Sequence, residues 1–554
     1  MKINHFIIII LIFLIGCSKK EAPAPVEPEV FFVSSFSINE KNENRPNLFF
    51  DVAGKPTFRI SFSSPVDKNS IKNNIRIINR AGADVATTMS FDNNDKSILI
   101  KPDQNFEPLS KYTFAITEGI QSAKKTSLSD MKVYSIITAI DSSDKFQRIS
   151  DDELLTLIQK QTFKYFWDFG HPVSGMARER NNSGDLVTTG GTCFGVMSII
   201  VGIERNFITH SEGLARINKI VDFLQKKCTR YHGAFAHWVN GATGATLPFS
   251  TKDNAADLVE TSLLMQGLLT ARQYFKGNSP EETVLRNNIN ELWNAVEWDW
   301  FRKGDQQVLY WHWSPEYNFE MNLHIKGWNE SLITYVLAAS SPTHTIPKSV
   351  YDAGWASNGN MKNGKTFFDT KLPLGPDLGG PLFFAHYSFL GINPNGLSDV
   401  YANYFEQNKA HTLINYKYSL NNVGRYNGYS KNIWGLTASD DNIKGYMAHS
   451  PTNDNGVVSP TAAISSMPYT PQESMDALKF YYYTLGDKLF KEYGFVDAFN
   501  LSDAWFANSF LAIDQGPQII MIENYRTGLL WNLFMSSPEI KDGLKKLGFQ
   551  SPFI

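Results

Sequence analysis

Two textures of hydrophobic and polar positions divide this chain. Between residues 30 and 140 the apolar residues come in short alternating runs: Val30-Phe-Phe-Val33, Thr57-Phe-Arg-Ile-Ser-Phe62, Asn74-Ile-Arg-Ile-Ile78, Ser97-Ile-Leu-Ile100, Tyr112-Thr-Phe-Ala-Ile116 and Val133-Tyr-Ser-Ile-Ile-Thr138. Asn, Asp, Gly and Pro turns separate them, which predicts a small all-β sandwich of about seven strands. Residues 141–150 read as a polar linker. From Asp151 the apolar period becomes 3.6. Helices are expected over 151–169, 190–207, 211–227, 255–275, 281–297, 328–340, 380–391, 396–411, 471–484, 501–515 and 518–535, with a short one near 538–547. Strands are scarce there. The region 151–554 is therefore expected to be mostly α, a toroid of helical hairpins joined by long Gly- and aromatic-rich loops. Long loops in a compact domain usually carry function.

Composition narrows the classes. The chain has 554 residues, room for one large and one small domain. A net charge of −3 gives no electrostatic case for nucleic acid. Aromatics make up 13% of the residues, with 12 Trp and 23 Tyr, which suits stacking against the flat apolar faces of sugars. A basic Lys2, the apolar run Phe6 to Ile15 and the string Leu14-Ile15-Gly16-Cys17 read as a lipoprotein signal over residues 1–16. Cys17 would carry the lipid and 17–29 would be a tether. An outer-membrane lipoprotein, facing the periplasm or the cell surface, is expected, and a monomer. Cys193 and Cys228 fall on separate predicted helices, so a disulfide and two buried free thiols both stay open.

The sharpest chemical signal is Asp253-Asn-Ala-Ala-Asp257-Leu-Val-Glu260. Carboxylates at i, i+4 and i+7 share one face of a helix, and the continuation, Thr261 to Ala271, is apolar on almost every side, as in a buried helix. The three acids are expected to line a cavity, with Asp253 also eligible as an N-cap. Glu330 follows Gly327-Trp-Asn at the start of another apolar helix, behind an aromatic and polar loop holding Trp311, His312, Trp313, Tyr317 and His324. Asp514 precedes Gly516-Pro517, expected to end a helix, which would set its charge against the dipole at a C-terminus. Glu523 and Arg526, spaced i, i+3, are read either as an ion pair or as a sugar grip. His232, His237, His312 and His324 lack metal-ligand spacing with a third partner, so no metal is expected. Phosphate-loop, dinucleotide and serine-elbow fingerprints are missing from the sequence.

Several of these strings together resemble the glucoamylase-like domain family, and within it glycoside hydrolase family 144, the bacterial β-1,2-glucanases. They are Asp253-Asn-Ala-Ala-Asp257-Leu-Val-Glu260-Thr, Gly327-Trp-Asn-Glu330-Ser, Gly380-Pro-Leu-Phe-Phe-Ala-His386-Tyr-Ser-Phe-Leu-Gly391 and Ile513-Asp-Gln-Gly-Pro517 with Met521-Ile-Glu-Asn-Tyr-Arg526. The resemblance spans roughly residues 150–550. Phe62-Ser-Ser-Pro-Val-Asp67 with Leu109-Ser-Lys-Tyr-Thr-Phe114 resembles bacterial Ig-like modules, for which a spacer or stabilising role is expected. The family resemblance implies an (α/α)6 toroid and cleavage of β-1,2-glucan to sophorose or longer sophorooligosaccharides without a cofactor. It implies acids for catalysis or subsite binding at Asp253, Asp257, Glu260 and Glu330. By analogy with an anomer-inverting clan, Glu330 would be the general acid and Asp514 a base. Stacking and binding are expected from Trp311, His312, Trp313, Tyr317, Trp355, His386, Glu523 and Arg526. Inversion needs one protonated carboxyl and one carboxylate holding a water, about 6.5–9.5 Å apart. The rival readings are a non-catalytic glycan-binding lipoprotein, a hydrolase of another β-glucan, and a polysaccharide lyase.

Overall fold

The computed structural model describes residues 29–554; the signal segment, Cys17 and all but the last residue of the tether fall outside the described residues. Two compact units emerge. The smaller takes the described residues up to Glu43, Lys55–Asn105 and Tyr112–Ser135, and the larger takes Asn44–Gly54, Phe106–Lys111 and Ile136–Ile554. Alternation along the chain could not show that two short internal stretches, 44–54 and 106–111, group with the larger unit.

In the smaller unit, Val33–Ile38, Phe58–Phe62, Ser97–Pro102 and Thr87–Asp92 form one antiparallel sheet in that order. Ile75–Ile78 pairs antiparallel with residues 113–116 in a second sheet. Every other residue of Phe58–Phe62 points inward, and Phe58, Ile60, Ile98, Ile100 and Phe114 are completely buried. This is the period-2 core of a sandwich. Thr87–Asp92 alternates as well but was not among the expected strands.

The larger unit is helical. Leu332–Ser340 packs on Leu258–Tyr274, which packs on Thr189–Glu204, which packs on Ala512–Thr527, which packs on Pro460–Ser465. These five are buried on nearly every side. Thr189–Glu204 buries all but one of its residues, and Leu332–Ser340 buries all nine. The helices outside them are amphipathic: His210–Lys226 and Pro538–Leu547 each bury a single stripe. Close approach of the inner helices depends on small residues. A Cβ on Gly267 would lie 2.8 Å from the Cys193 carbonyl oxygen, closer than packed atoms tolerate. Cys193 and Cys228 are both buried free thiols.

Several expected boundaries move. Residues 380–391 form two short 3-10 turns, Leu382–Ala385 and Tyr387–Leu390, rather than one helix. The helix expected over 396–411 is Tyr404–Asn421, because Asn403 caps it by accepting the Glu406 N–H at 3.1 Å. The helix expected over 501–515 is absent up to residue 511: Phe499–Asn500 pairs with Trp505–Phe506, and a helix starts only at Ala512. Short two-residue hairpins of this kind recur among the loops, so strands are commoner than expected. Pieces so short leave no period in the sequence.

Candidate active site

Asp253, Asp257 and Glu260 meet, but not on a helix face. The helix starts at Leu258. Asp257 is its N-cap, with Oδ1 accepting the Glu260 N–H at 2.9 Å, and Asp253 lies in the preceding loop. The i, i+4, i+7 argument therefore fails for Asp253: β-pairing, not helical periodicity, orders this stretch. Ala256–Asp257 forms a two-residue antiparallel pair with His312–Trp313, setting Asp257 opposite His312. His312 Nε2 lies 3.4 Å from Asp253 Oδ2 and 3.6 Å from Asp257 Oδ2. His237 Nδ1 lies 3.2 Å from Asp257 Oδ2, and its Nε2 is 3.9 Å from Glu260 Oε1.

Two imidazoles thus face three carboxyls, and the charges set one another. Burial pulls both imidazoles down, yet the surrounding carboxylates outweigh it and hold His237 and His312 up at about 9. Burial pushes Asp257 up, but hydrogen bonds from the two histidines win and hold it well below the usual carboxylate range. Glu260 is raised, chiefly by burial. Its Oε2 accepts the Gly190 N–H at 2.7 Å, at the N-terminus of the Thr189–Glu204 helix, where the dipole favours a carboxylate. A Cβ on Gly190 would lie 2.6 Å from that oxygen, so any larger residue there would push the Glu260 carboxylate aside. The donor atoms of His237, Asp253 and Asp257 also lie within 4.8 Å of one another, a set able to hold a metal ion, but protonated histidines compete with such binding.

Glu330 comes from a different element. It sits on the turn before Leu332–Ser340, not inside the helix as expected over 328–340. Ser388 Oγ donates to the Glu330 carbonyl and accepts the Ile333 N–H at 3.0 Å, pinning that turn. Burial, then the Glu260 and Asp257 charges, push the Glu330 carboxyl up to about 7. It therefore keeps its proton up to about neutral pH, in the same cavity as an Asp257 that stays ionised.

Asp514 occupies the first turn of Ala512–Thr527, not a C-terminus. The helix runs on through Pro517, which leaves the Ile513 carbonyl without its i+4 donor. The Tyr387 hydroxyl supplies that donor at 3.0 Å, so the proline ends nothing. Asp514 is buried among acids that the sequence reading did not select. Asp497 is within hydrogen-bonding reach, and Asp440 donates its N–H to Asp497 Oδ2 at 2.7 Å. Arg180 is the nearby cation, pairing with Glu179 at 2.8 Å and with Asp440 at 3.0 Å.

The histidine–carboxyl wall, Glu330, Glu179 and Arg180 line one cavity of about 540 Å³. Trp311 and His312 line it as expected, and so do the unexpected Trp238, Phe249, Phe383, Tyr387 and Tyr446. Asp514, Trp313, Tyr317, Trp355 and His386 do not, although Ile513, next to Asp514, does. Trp355 is fully buried, and His386 bonds Ser466 Oγ at 3.0 Å inside the core. Glu523 and Arg526 do not line it either, nor do they pair with each other. Glu523 is gripped by Arg205 at 2.7 and 2.9 Å, while Arg526 reaches Asp152 at 2.6 Å and Gln159 at 2.7 Å. Asp497 carried a readable signal: it is the one charge in the apolar run Phe495-Val-Asp497-Ala-Phe499.

A helical unit whose apolar helices present a carboxyl-lined cavity defines the class. Residues 322–538 match the family described as "Putative glucoamylase", and residues 47–138 match a bacterial Ig-like domain. An endo-β-1,2-glucanase from Chitinophaga pinensis, solved with sophorotriose and glucose, is 51% identical with a TM-score of 0.72, the match covering 74% of this chain and 100% of that one. A β-1,2-glucanase from Parabacteroides distasonis is 37% identical with a TM-score of 0.70, over 94% of this chain and 74% of that one. An exo β-1,2-glucooligosaccharide sophorohydrolase (non-reducing end) of the same organism is 44% identical over 449 residues, 75% of this chain; the match spans 62% of that relative's length. The chain belongs to this glucoamylase-like family, with an N-terminal Ig-like β region.

Proposed function

We propose that this protein hydrolyses β-1,2-glucan, releasing sophorose or longer sophorooligosaccharides by an inverting acid/base mechanism. The carrying observation is the opposition of protonation states in one cavity: Glu330 held up at about 7 and Asp257 held ionised. Glycosidic cleavage needs such a division of labour. The names of the relatives from Chitinophaga pinensis and Parabacteroides distasonis support the linkage. Glu330 gives its proton to the leaving oxygen. Asp514 holds the attacking water as base. Asp253, Asp257 and Glu260, with His237 and His312, bind sugar hydroxyls and keep Glu330 protonated. Trp311, Trp238 and Tyr446 offer apolar faces for stacking.

The succession of inner helices, each backed by amphipathic neighbours, reads as an (α/α)6 toroid around this cavity. The Leu14-Ile15-Gly16-Cys17 string supports export, a lipid anchor on Cys17 and an outer-membrane location, facing the periplasm or the cell surface. Among the described residues no helix is long and apolar enough to cross a membrane. Incubation with β-1,2-glucan, followed by reducing-end assay and chromatography, tests the reading: sophorooligosaccharides should accumulate, and no new reducing ends from any β-glucan would refute it.

A further inference from the structure

We propose that Asp497 and Asp514 form a carboxyl dyad sharing one proton, and that Asp497 receives the proton Asp514 passes on when it activates water. The inference rests on the hydrolase reading above and adds a residue to it. Three observations carry it. The two carboxyls lie within hydrogen-bonding reach of each other. Each keeps one buried oxygen, Asp497 Oδ1 and Asp514 Oδ2, with no donor among the described residues. A proton between them is the donor they lack, because a bare pair of buried carboxylates is far too costly. Finally, the local charges do not balance. Glu179, Asp440, Asp497 and Asp514 cluster around a single guanidinium, Arg180, whose hydrogen bonds go to Glu179 and Asp440. Among the described residues no cationic side chain hydrogen-bonds to either of the inner two, although the Arg180 charge reaches both.

The groups around the dyad set its polarity. The Asp440 N–H donates to Asp497 Oδ2 at 2.7 Å and favours Asp497 as the ionised member. Asp440 itself is held by Arg180 and by the Ser509 hydroxyl. Tyr387 and Tyr446, which line the cavity, are the neighbours that feel the Asp514 charge. Asp514 is 5% exposed and Asp497 fully buried. Asp514 follows the lining residue Ile513 and is thus the member nearer the cavity, with the fully buried Asp497 behind it. Burial first, and the mutual charge second, raise Asp514 well above the usual range, and burial brings Asp497 up to about 7. A protonated Asp514 is no base alone; as part of the dyad it becomes one. An O–H bond of water breaks and its proton goes to Asp514. The O–H bond Asp514 already held breaks, and that proton goes to Asp497. The water oxygen bonds the anomeric carbon, the glycosidic C–O bond breaks, and Glu330 protonates the leaving oxygen. The dyad then releases its extra proton to solvent, and Glu330 takes a proton back from solvent.

Kinetics and infrared spectroscopy test this together. Asp497→Asn should lower kcat by about 100-fold or more, the scale of a lost general base, with KM changed less than about threefold and the pH profile altered. Asp514→Asn should do the same, and the double variant should be no slower than the slower single, as for residues acting as a unit. Asp497→Glu, which keeps an acceptor, should recover part of the rate. Independently of activity, wild type at pH 7 should show a protonated-carboxyl C=O band that Asp514→Asn removes, Asp497→Asn shifts and Glu330→Gln leaves in place. Full kcat with an unchanged profile in Asp497→Asn, multiplicative losses in the double variant, or no such band overturns the dyad. If wild type cleaves no glucan, the hydrolase reading falls while the infrared band still decides the shared proton.

Discussion

Glu330→Gln should make the protein more stable as it makes the enzyme inactive, and only on the alkaline side. The structure holds the Glu330 carboxyl at about 7 against an ordinary 4.5. A carboxyl raised in the folded state binds its proton more tightly there than in the unfolded chain. Stability therefore falls as pH rises from the unfolded value, about 4.5, to the folded one, about 7. Above pH 7 the native protein bears the whole cost of ionising a partly buried acid beside Glu260 and Asp257. A difference of about 2.5 units at about 1.4 kcal/mol each gives roughly 3 kcal/mol as an upper bound. Glutamine, which has no charge to desolvate, removes that cost. Urea unfolding of wild type and Glu330→Gln at pH 4.5 and pH 8.5 checks it: near-equal midpoints are expected at the lower pH, and a clearly higher variant midpoint at the upper one. The same offset at both pH values would mean that Glu330 ionises normally. The cavity would then hold no Glu330 proton to give at neutral pH.

Other expectations follow from neighbouring contacts. Gly190→Ala drives a methyl to 2.6 Å from Glu260 Oε2, so it should displace that carboxylate, cost about 1–3 kcal/mol and raise KM in oligosaccharide kinetics. His312→Gln removes an imidazolium held up at about 9. The stability that imidazolium contributes is fully present below the unfolded value of about 6.5 and lost as pH rises through 9, so the variant's deficit in denaturant midpoint should be largest at acidic pH and vanish above pH 9. Glu523→Gln breaks a bidentate pair with Arg205, and should lower stability by about 2–4 kcal/mol while leaving kcat near wild type.

How far the sequence spoke varied with the physics behind each element. Long amphipathic or wholly apolar helices such as His210–Lys226 and Leu258–Tyr274 were legible because burial repeats every turn. The alternating strands of the smaller unit were legible for the matching reason. Two-residue pairs such as Ala256–Asp257 with His312–Trp313 were not, yet that pair brings Asp257 to His312. The acids Asp253, Asp257, Glu260 and Glu330 stood out as charges in or beside apolar runs, and the structure gathers them in one cavity. The helix-face argument chose them for a reason that fails for Asp253. Asp514 was chosen on a helix end that does not exist, because the Tyr387 hydroxyl satisfies the carbonyl freed by Pro517. Partnership was hidden too. The i, i+3 spacing of Glu523 and Arg526 suggested a pair, whereas Arg205, 318 residues from Glu523, takes the carboxylate. Aromatic loops could be recognised as a group, but which rings line the cavity depends on turns that put Trp238 and Phe249 there and bury Trp355.

The measurement that tests the central claim most directly is product analysis on β-1,2-glucan beside β-1,3- and β-1,4-glucans, with wild type and Glu330→Gln run in parallel. The account predicts sophorose or longer sophorooligosaccharides from β-1,2-glucan alone, with the α-anomer formed first, and a loss of activity in the variant. Cleavage of another linkage in preference, products of retained configuration, or a Glu330→Gln enzyme with full kcat would contradict it.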